Sequence, residues 1–248
     1  MAIAVQFVDG QSTTTDTTSV VTLTTPPTVG NMLIVAIGRF VTLPGAGELV
    51  DNRGNTYTLD RAQHTSHIAS TGVAIYRATI LVNTAPFTLT YTTGLTGQNG
   101  WVSMGYLSVS DLPVSPVDQH IGQGCQTSCT TLNAGVLNPM FSPSIIVGVT
   151  SKRAHDGDAP VTPPTGWTEV FKQNDNSSFV GIHVAYKLLP DLQLLNVIWN
   201  SNALAATTYD ACAVNYKPLG TSNSGGMPGD VARRVKVGSG TWVSDRAK

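Results

Sequence analysis

Apolar residues recur along this chain in short runs that Gly, Pro, Asn and Asp interrupt. One such interruption, Asp51–Asn55, is predicted to be a turn because Asn, Asp and Gly tolerate positive φ. The runs Leu33–Ile37 and Ile145–Val149 are continuous and rich in β-branched residues, which favours central, buried strands. The segment Ser19–Thr24 instead alternates apolar and polar residues, which is typical of a strand with one solvated face. No convincing amphipathic helix is found, so the pattern predicts an all-β chain of about ten to twelve short strands.

The order of these segments occurs twice. The recurring features are apolar runs and tyrosines: Leu33–Ile37 returns as Ile145–Val149, Tyr76 as Tyr186 and Tyr106 as Tyr216, each tyrosine pair being 110 positions apart. Such a repeat indicates one supersecondary unit used twice around a shared core, and it favours core positions for the four tyrosines. We therefore predict one jelly-roll-like β-sandwich domain over residues 1–219, built from strand runs at about 1–116 and 141–219 with an irregular bridge at 117–140.

The C-terminal stretch, residues 220–248, differs in composition. Residues 220–229 are rich in Gly and Ser, as flexible linkers are. A short hairpin pattern follows, and an isolated hairpin is marginally stable in water. We predict that this hairpin docks on another chain by adding strands to a neighbouring sheet, through Arg233, Arg234, Val235, Val237, Trp242 and Val243. The alternative is a disordered basic end.

Charge narrows the range of partners. Charged residues make up 12% of the chain and the net charge is −1, so no field of one sign attracts nucleic acid or an anionic membrane. No stretch approaches the roughly 20 apolar residues that span a bilayer. The N-terminal residues lack the basic start, apolar run and cleavage site of a signal peptide. We expect no nucleic-acid partner, no membrane insertion, and synthesis in a cytoplasm.

Catalytic and metal-binding patterns are sparse. A glycoside hydrolase needs a pair of carboxylates, but the chain has only two glutamates, Glu48 and Glu169, and none of its aspartates lies in a distinctive sequence motif. The chain has no nucleophile elbow, phosphate-cradling loop or dinucleotide fingerprint. His64 and His67 lack the further ligands that a zinc site needs. We predict a non-enzymatic protein without a cofactor or a metal site.

Three cysteines do not form a disulfide framework. Cys125 and Cys129 are close enough in sequence to bridge if their loop bends suitably, and whether they do is left open. Cys212 lies in a strand-like apolar run, which favours a buried, unreactive thiol.

The tryptophans allow one ligand hypothesis. Trp199 is followed by Asn200, Ser201 and Asn202. An exposed indole face beside amide side chains suits a sugar ring. We therefore take Trp199, Asn200 and Asn202 as a candidate glycan site, with a core role for Trp199 as the alternative.

Three motifs resemble a widespread family of β-sandwich proteins. They are Gly30–Ala36, Val50–Tyr57 and Ala211–Pro218, and the resemblance covers about residues 1–219. Members of that family occur among bacteriophage structural proteins and environmental bacterial sequences. The segment from Arg234 to Val243 resembles the short hairpin ends of many phage tail and virion proteins. The resemblance implies a component of a phage particle, with glycan contact implied only weakly, and no catalytic residue carries over.

Two hypotheses follow. The first is a virion structural protein (a fibre, spike, decoration or tail-tip subunit) that binds copies of itself and other virion proteins, and that contacts host-surface glycan. Because virion parts repeat by symmetry, a homo-oligomer is expected. The alternative is a carbohydrate-binding or adhesion module of a bacterial protein, which requires an exposed aromatic platform.

Overall fold

The protein is all-β in a computed structural model of the chain, as the sequence predicts. The structure describes residues 3–13, 17–40, 42–65, 71–95, 101–125, 131–153, 161–173, 180–201, 209–220, 234–237 and 241–244. Every regular element in these ranges is a strand, and all strand pairs are antiparallel. These described residues accordingly contain no helix that could cross a membrane.

Within the described residues, eight strands form the first half of the chain. They are β1 (Val5–Thr13), β2 (Thr18–Thr22), β3 (Met32–Phe40), β4 (Leu49–Asp51), β5 (Thr58–His64), β6 (Thr71–Thr79), β7 (Thr88–Thr92) and β8 (Val102–Val109).

The second half also has eight strands, and a hairpin follows it. They are β9 (Val117–Cys125), β10 (Leu132–Leu137), β11 (Ser144–Arg153), β12 (Val161–Thr162), β13 (Thr168–Gln173), β14 (Val180–Leu189), β15 (Leu195–Ser201) and β16 (Tyr209–Tyr216), then β17 (Arg234–Val237) and β18 (Thr241–Ser244).

The strand count exceeds the prediction. The expectation of ten to twelve strands was too low, and the segment 117–140 is not an irregular bridge, because it contains β9 and β10. β9 pairs with β16 at the edge of a sheet and is only partly buried, so its residues need no apolar alternation. β4 and β12, with three and two residues, are too short to leave a periodic signal.

The same topology is used twice. The first half forms sheets of order β1-β8-β3-β6-β5 and β2-β7-β4. The second half forms β9-β16-β11-β14-β13 and β10-β15-β12, so each strand has its counterpart eight strands later. This order supports the predicted duplication of the strand run. The finer assignment to the jelly rolls stays a prediction.

The four sheets stack in layers around three apolar cores. One outer core lies within each half, between its five-stranded and three-stranded sheets. The middle core lies between the two five-stranded sheets and takes residues from both halves. The halves thus share one core, as predicted, and each has another of its own. Because the five-stranded sheets are covered on both faces, β3 is buried along its whole length, which accounts for its unbroken apolar run.

The predicted equivalences between single residues of the two halves were wrong, because they are offset by an odd number of positions. Tyr76 and Tyr106 point into the first outer core, whereas Tyr216 lies in the middle core and Tyr186 packs against it. Successive strand residues face opposite sides, so a shift of one position reverses every side chain. The spacing of 110 therefore matches strands correctly but not faces. Three of these tyrosines are fully buried and Tyr186 is half-buried.

A bulge recurs at equivalent positions of the two halves. The ladder of β1 skips Gln6 and that of β9 skips Asp118. Ser108 Oγ donates to Gln6 Oε1 at 2.9 Å, and Asn215 Nδ2 donates to Asp118 Oδ2 at 2.9 Å. In both halves the same oxygen also accepts a backbone N–H from the connection that precedes the third strand. The repeat therefore extends to hydrogen bonds that link different residue types.

Glycines allow the two halves to approach closely. A Cβ added at Gly10 of β1 would overlap the ring of Phe171 on β13. At the equivalent Gly122 of β9, a Cβ would lie 2.8 Å from Nε of Arg61 on β5. Phe171 and Arg61 each follow a bulge in their strand. The interface between the halves thus uses a matched pair of contacts, one apolar and one cationic.

Candidate functional site

The strand directions define two ends of the stack. Odd-numbered and even-numbered strands run in opposite directions, so connections after even-numbered strands meet at one end, here called the turn end. The two halves are aligned, since Tyr216 Oη donates to Asp60 near this end and Thr71 Oγ1 to the carbonyl of Ser151 near the other. The turn-end connections that precede β16 all lie within the described residues, as does the chain after β16 as far as Gly220.

A carboxylate organises the turn after β4. Asp51 Oδ1 accepts the backbone N–H groups of Arg53 and Asn55 at 2.8 and 3.1 Å. Asp51 Oδ2 accepts Asn55 Nδ2 at 2.9 Å and Tyr57 Oη at 3.0 Å. Gly54 takes a positive φ of 75°, which the turn requires. Burial, with the adjacent Asp51 charge, raises the pKa of Tyr57, so its hydroxyl stays protonated and donates.

This turn holds the neighbouring one in place. Asn55 Oδ1 accepts the backbone N–H groups of Leu81 and Val82 at 2.8 and 3.2 Å, and Asn55 Nδ2 donates to the carbonyl of Val82 at 3.0 Å. Although their backbone is held, the side chains of Leu81 and Val82 are 71% and 44% exposed. The turn end thus displays apolar side chains from a hydrogen-bonded frame.

A small cleft opens beside these residues. It has a volume of about 260 Å³ and is lined by Gly54, Thr56, Thr58, Arg77, Ala78, Thr79, Leu81 and Val114; we call it the turn-end cleft. Val114 is 78% exposed. The lining combines two exposed apolar side chains, threonines and one cation. Drug-sized ligands occupy pockets of roughly 300–1,000 Å³, so this cleft suits one side chain better than a cofactor.

Other large apolar side chains are exposed at the same end. Connections there contribute Val29, Met140, Leu192, Leu194 and Leu219, in addition to the residues of the cleft. Single exposed apolar residues are ordinary, whereas a contiguous exposed apolar patch is typical of a surface for association.

The C-terminal tail leaves from this end. Lys217 N–H donates to the carbonyl of Pro116 at 2.7 Å, and Leu219 N–H donates to the carbonyl of Asp111 at 2.7 Å. Both acceptors lie in the β8–β9 connection that carries Val114. The chain therefore reaches Gly220 next to one wall of the turn-end cleft.

The cation in the cleft belongs to an ion pair within the first half, and a tyrosine of the second half hydrogen-bonds to that pair. Arg77 pairs with Asp60, whose side chain is 2% exposed, and Asp60 Oδ2 accepts Tyr216 Oη from the second half at 2.9 Å. Burial lowers the pKa of Arg77 and raises that of Tyr216. The pair fixes the Arg77 side chain in one wall of the cleft.

A second buried cation lies in the outer core of the first half. Arg39 Nη1 contacts Glu48 Oε2 at 2.9 Å and donates to Tyr91 Oη at 2.8 Å, and Tyr91 Oη donates to the same Glu48 oxygen. Burial raises the pKa of Tyr91. Glu48 is thus committed to Arg39, while Glu169 lies at the surface 3.3 Å from Lys172. These two glutamates do not form a hydrolytic pair.

The end opposite the turn end buries two titratable groups, on β14 and β16, the strands that flank β11. Burial, with Lys152 and Lys172 nearby, lowers the pKa of His183 to about 3. Burial raises the pKa of Asp210 to about 7, although the hydrogen bond from Thr65 Oγ1 at 2.7 Å lowers it in part. By strand alternation His183 faces the outer core and Asp210 the middle core, so they cannot form a catalytic dyad. Among the described residues no group of three or more His, Cys, Asp or Glu side chains could hold a metal.

The candidate glycan site is not supported at its central residue. Trp199 is 1% exposed in the second outer core, with its ring centroid 6.4 Å from that of Trp167. A buried ring offers no face to a sugar, so Trp199 has the core role that was the alternative. Its alternation with Ile198 and Asn200 puts the indole on the inner face of β15. Asn200 is exposed, and Asn202 lies outside the described residues.

The other predicted site residues are the cysteines and the docking residues of the tail, and most of their side chains are outside the part of the chain that the structure describes. Cys125 is disulfide-bonded and Cys212 is free and buried, with its thiol pKa raised by burial. Cys129 and Arg233 lie outside the described residues. The hairpin itself forms, and β17 pairs with β18 so that Val235 is opposite Val243 and Lys236 opposite Trp242. Its docking role stays a prediction for Arg234, Val235, Val237, Trp242 and Val243.

The sequence did not predict that the side chains of Leu81, Val82 and Val114 are exposed at the turn end. The turn motif Asp51–Asn55 was visible as a turn, but its hydrogen bonds to the β6–β7 connection cross about 27 positions and leave no local signal. Comparison of the chain with models of protein families, with curated proteins and with solved structures found no match. The functional argument therefore rests on the geometry of the turn end.

Proposed function

We propose that the chain is a non-enzymatic structural subunit of a bacteriophage virion, as a fibre, spike, decoration or tail-tip component. Copies assemble through their turn ends and C-terminal tails. One observation carries the proposal: the end of the stack that displays apolar side chains on hydrogen-bonded turns is also the end from which the tail departs.

The interior of the molecule is consistent with a mechanical role. Three cores resist shear between the layers, as does the hydrogen bond that Tyr216 of the second half donates to Asp60 of the Arg77–Asp60 ion pair. Backbone pairing between adjacent strands is continuous across both five-stranded sheets. A stiff body of this kind transmits force and keeps its surface loops at fixed positions.

The direct test is the location of the chain in particles. An antibody raised against the recombinant chain is applied to density-gradient fractions from a lysate of a culture that produces the chain and phage particles. We expect the chain to band with nuclease-protected DNA, while an abundant host cytoplasmic protein, probed as a control, stays in the soluble fractions. Recovery of the chain only in those soluble fractions would refute the virion assignment.

A further inference from the structure

We infer that the turn-end cleft of one copy receives the C-terminal hairpin of a second copy, with Trp242 as the anchoring side chain. This inference rests on the proposed function and names the surface through which copies associate. The cleft and the hairpin are different patches, so the contact is heterologous and generates rings or filaments by repetition.

The cleft matches one large anchor in size and chemistry. Its volume of about 260 Å³ is below that of ligand pockets, and Leu81 and Val114 supply exposed apolar walls. Arg77 lies in the wall, and a guanidinium beside an aromatic ring is a favourable partner. Anchors of protein interfaces are typically Trp, Tyr or Arg side chains in pockets of this kind. Trp242 is the only aromatic residue after position 219.

The tail starts at the right place and is long enough. Leu219 is held by the connection that carries Val114, so residues 221–248 begin beside the cleft. The residues between Gly220 and β17 number 13, counted as 221–233. At about 3.3–3.6 Å per residue, they span up to roughly 45 Å when extended. A tail of this reach can cross from one copy to the turn end of the next.

Charge favours the same pairing. Residues 221–248 carry five Lys or Arg and two Asp, which is a net +3; the whole chain has 14 basic and 15 acidic residues, so residues 1–220 have a net charge of 9 − 13 = −4. One of those carboxylates, Asp111, lies three positions before Val114. A basic tail is therefore attracted to an acidic body, and the attraction weakens with salt.

The test uses three full-length proteins and light scattering after size exclusion. The cleft variant is Leu81→Ser with Val114→Ser, the tail variant is Trp242→Ser, and the control is Val20→Ser, which is 52% exposed on β2 away from the turn end. Circular dichroism and urea unfolding verify that each variant folds. We expect the wild-type chain and the control to associate, and the cleft and tail variants to associate at least tenfold more weakly.

Mixing the two defective variants identifies the contact. The tail variant keeps its cleft and the cleft variant keeps its tail, so an equimolar mixture should form a one-to-one dimer although each protein alone is monomeric. A mixture that stays monomeric overturns the contact between the cleft of one copy and the tail of another.

Other outcomes separate this inference from the proposed function. If the tail variant loses association but the cleft variant keeps it, the cleft is not the receptor, while assembly through the tail stands. If the wild-type chain is monomeric at its solubility limit, the inference fails outright. The virion assignment is then decided by the gradient experiment alone.

Discussion

The two halves of the chain fill their outer cores in different ways around the same strand order. Residues that lie side by side at the centre of the five-stranded sheets differ in size: Val35, Tyr76 and Tyr106 in the first half, Gly148, Ala185 and Ala213 in the second. The space above the small residues is taken by Trp167 and Trp199, and a Cβ at Gly148 would lie 3.1 Å from the Trp167 ring. The same strand topology can thus be kept when the large core side chains lie on the five-stranded sheet in one half and opposite it in the other, because a core tolerates such exchanges if its total volume is conserved.

The largest loss of stability is expected from removing the Trp199 side chain from the outer core of the second half. Trp199→Ala should lower the free energy of unfolding by about 3–5 kcal/mol, because the small residues opposite cannot close the cavity. Urea unfolding measures the change. Val20→Ala, at a position 52% exposed, serves as a control and should change stability by less than about 0.5 kcal/mol. A loss below about 1 kcal/mol for Trp199→Ala would contradict the packing described.

A double variant sharpens this result. Gly148→Val gives the second half the residue found at the equivalent position of the first and should cost about 1–3 kcal/mol by overpacking against the tryptophans. In the Trp199→Ala background the same substitution should cost less or stabilise, because the space is free. Additive effects would argue against a shared cavity.

A buried carboxylate distinguishes the halves in their response to pH. Asp210 lies where the first half has Ser103, and its folded pKa of about 7 exceeds the unfolded value of about 3.9. The folded state therefore binds more protons between these values, and the contribution of Asp210 to stability falls as the pH rises from about 4 to 7. Asp210→Asn should remove this slope and stabilise the protein at pH 8 by up to about 4 kcal/mol.

His183 changes stability with pH in the opposite direction to Asp210. The contribution of Asp210 must therefore be obtained as the difference in stability between the wild type and Asp210→Asn. Its folded pKa of about 3 lies below the unfolded value of about 6.5, and stability falls as the pH drops through this interval. Subtracting the pH profile of Asp210→Asn from that of the wild type isolates the carboxylate. A difference that does not vary between pH 4 and pH 8 would show that Asp210 ionises normally.

The matched glycines of the interface should differ in tolerance. Gly10→Ala drives a methyl group into the ring of Phe171 and should cost about 1–3 kcal/mol. Gly122→Ala meets the flexible Arg61 side chain, which can move, so a smaller loss is expected. Thermal unfolding of both variants measures this ordering, and Gly10→Ala with Phe171→Leu should recover part of the loss. Equal effects would indicate that the two contacts are equally rigid.

The smallest difference is expected at the repeated bulge. Asn215→Ala removes a hydrogen bond to the carboxylate of Asp118, and such a bond is worth about 1.5–3 kcal/mol. Ser108→Ala removes the neutral counterpart at Gln6, worth about 0.5–1.5 kcal/mol. Urea unfolding at neutral pH should therefore rank Asn215→Ala as the more damaging. The reverse order would mean that solvent already satisfies Asp118.

The fold class and the duplication could be read from residue patterns because both depend on local order. The apolar runs at Leu33–Ile37 and Ile145–Val149 form the equivalent strands β3 and β11, each at the centre of the five-stranded sheet of its half. The edge strand β9 could not be predicted, because partial burial at a sheet edge imposes no strict alternation. Of the candidate site, only the turn at Asp51–Asn55 was visible.

The misassignment of Trp199 has a similar cause. Its polar neighbours suggested exposure, but residues that alternate along a strand face opposite sides, and Asn200 is exposed because Trp199 is not. Likewise, Leu81 and Val114 are ordinary apolar residues in sequence. The backbone of Leu81 is held by Asn55, 26 positions away, and Val114 lies in a different connection, so no local pattern marks either as exposed.

By itself the sequence determined that the chain forms strands, that the strand run occurs twice, and that a basic tail follows a flexible linker, because these properties depend on composition and short-range order. Only the tertiary structure decided which face of each strand is buried, how two unlike cores fill equal space, and which apolar side chains remain at the turn end. Those outcomes depend on contacts between residues far apart in the chain, such as Asn215 with Asp118, 97 positions apart, or Tyr216 with Asp60, 156 positions apart, and no local pattern encodes them.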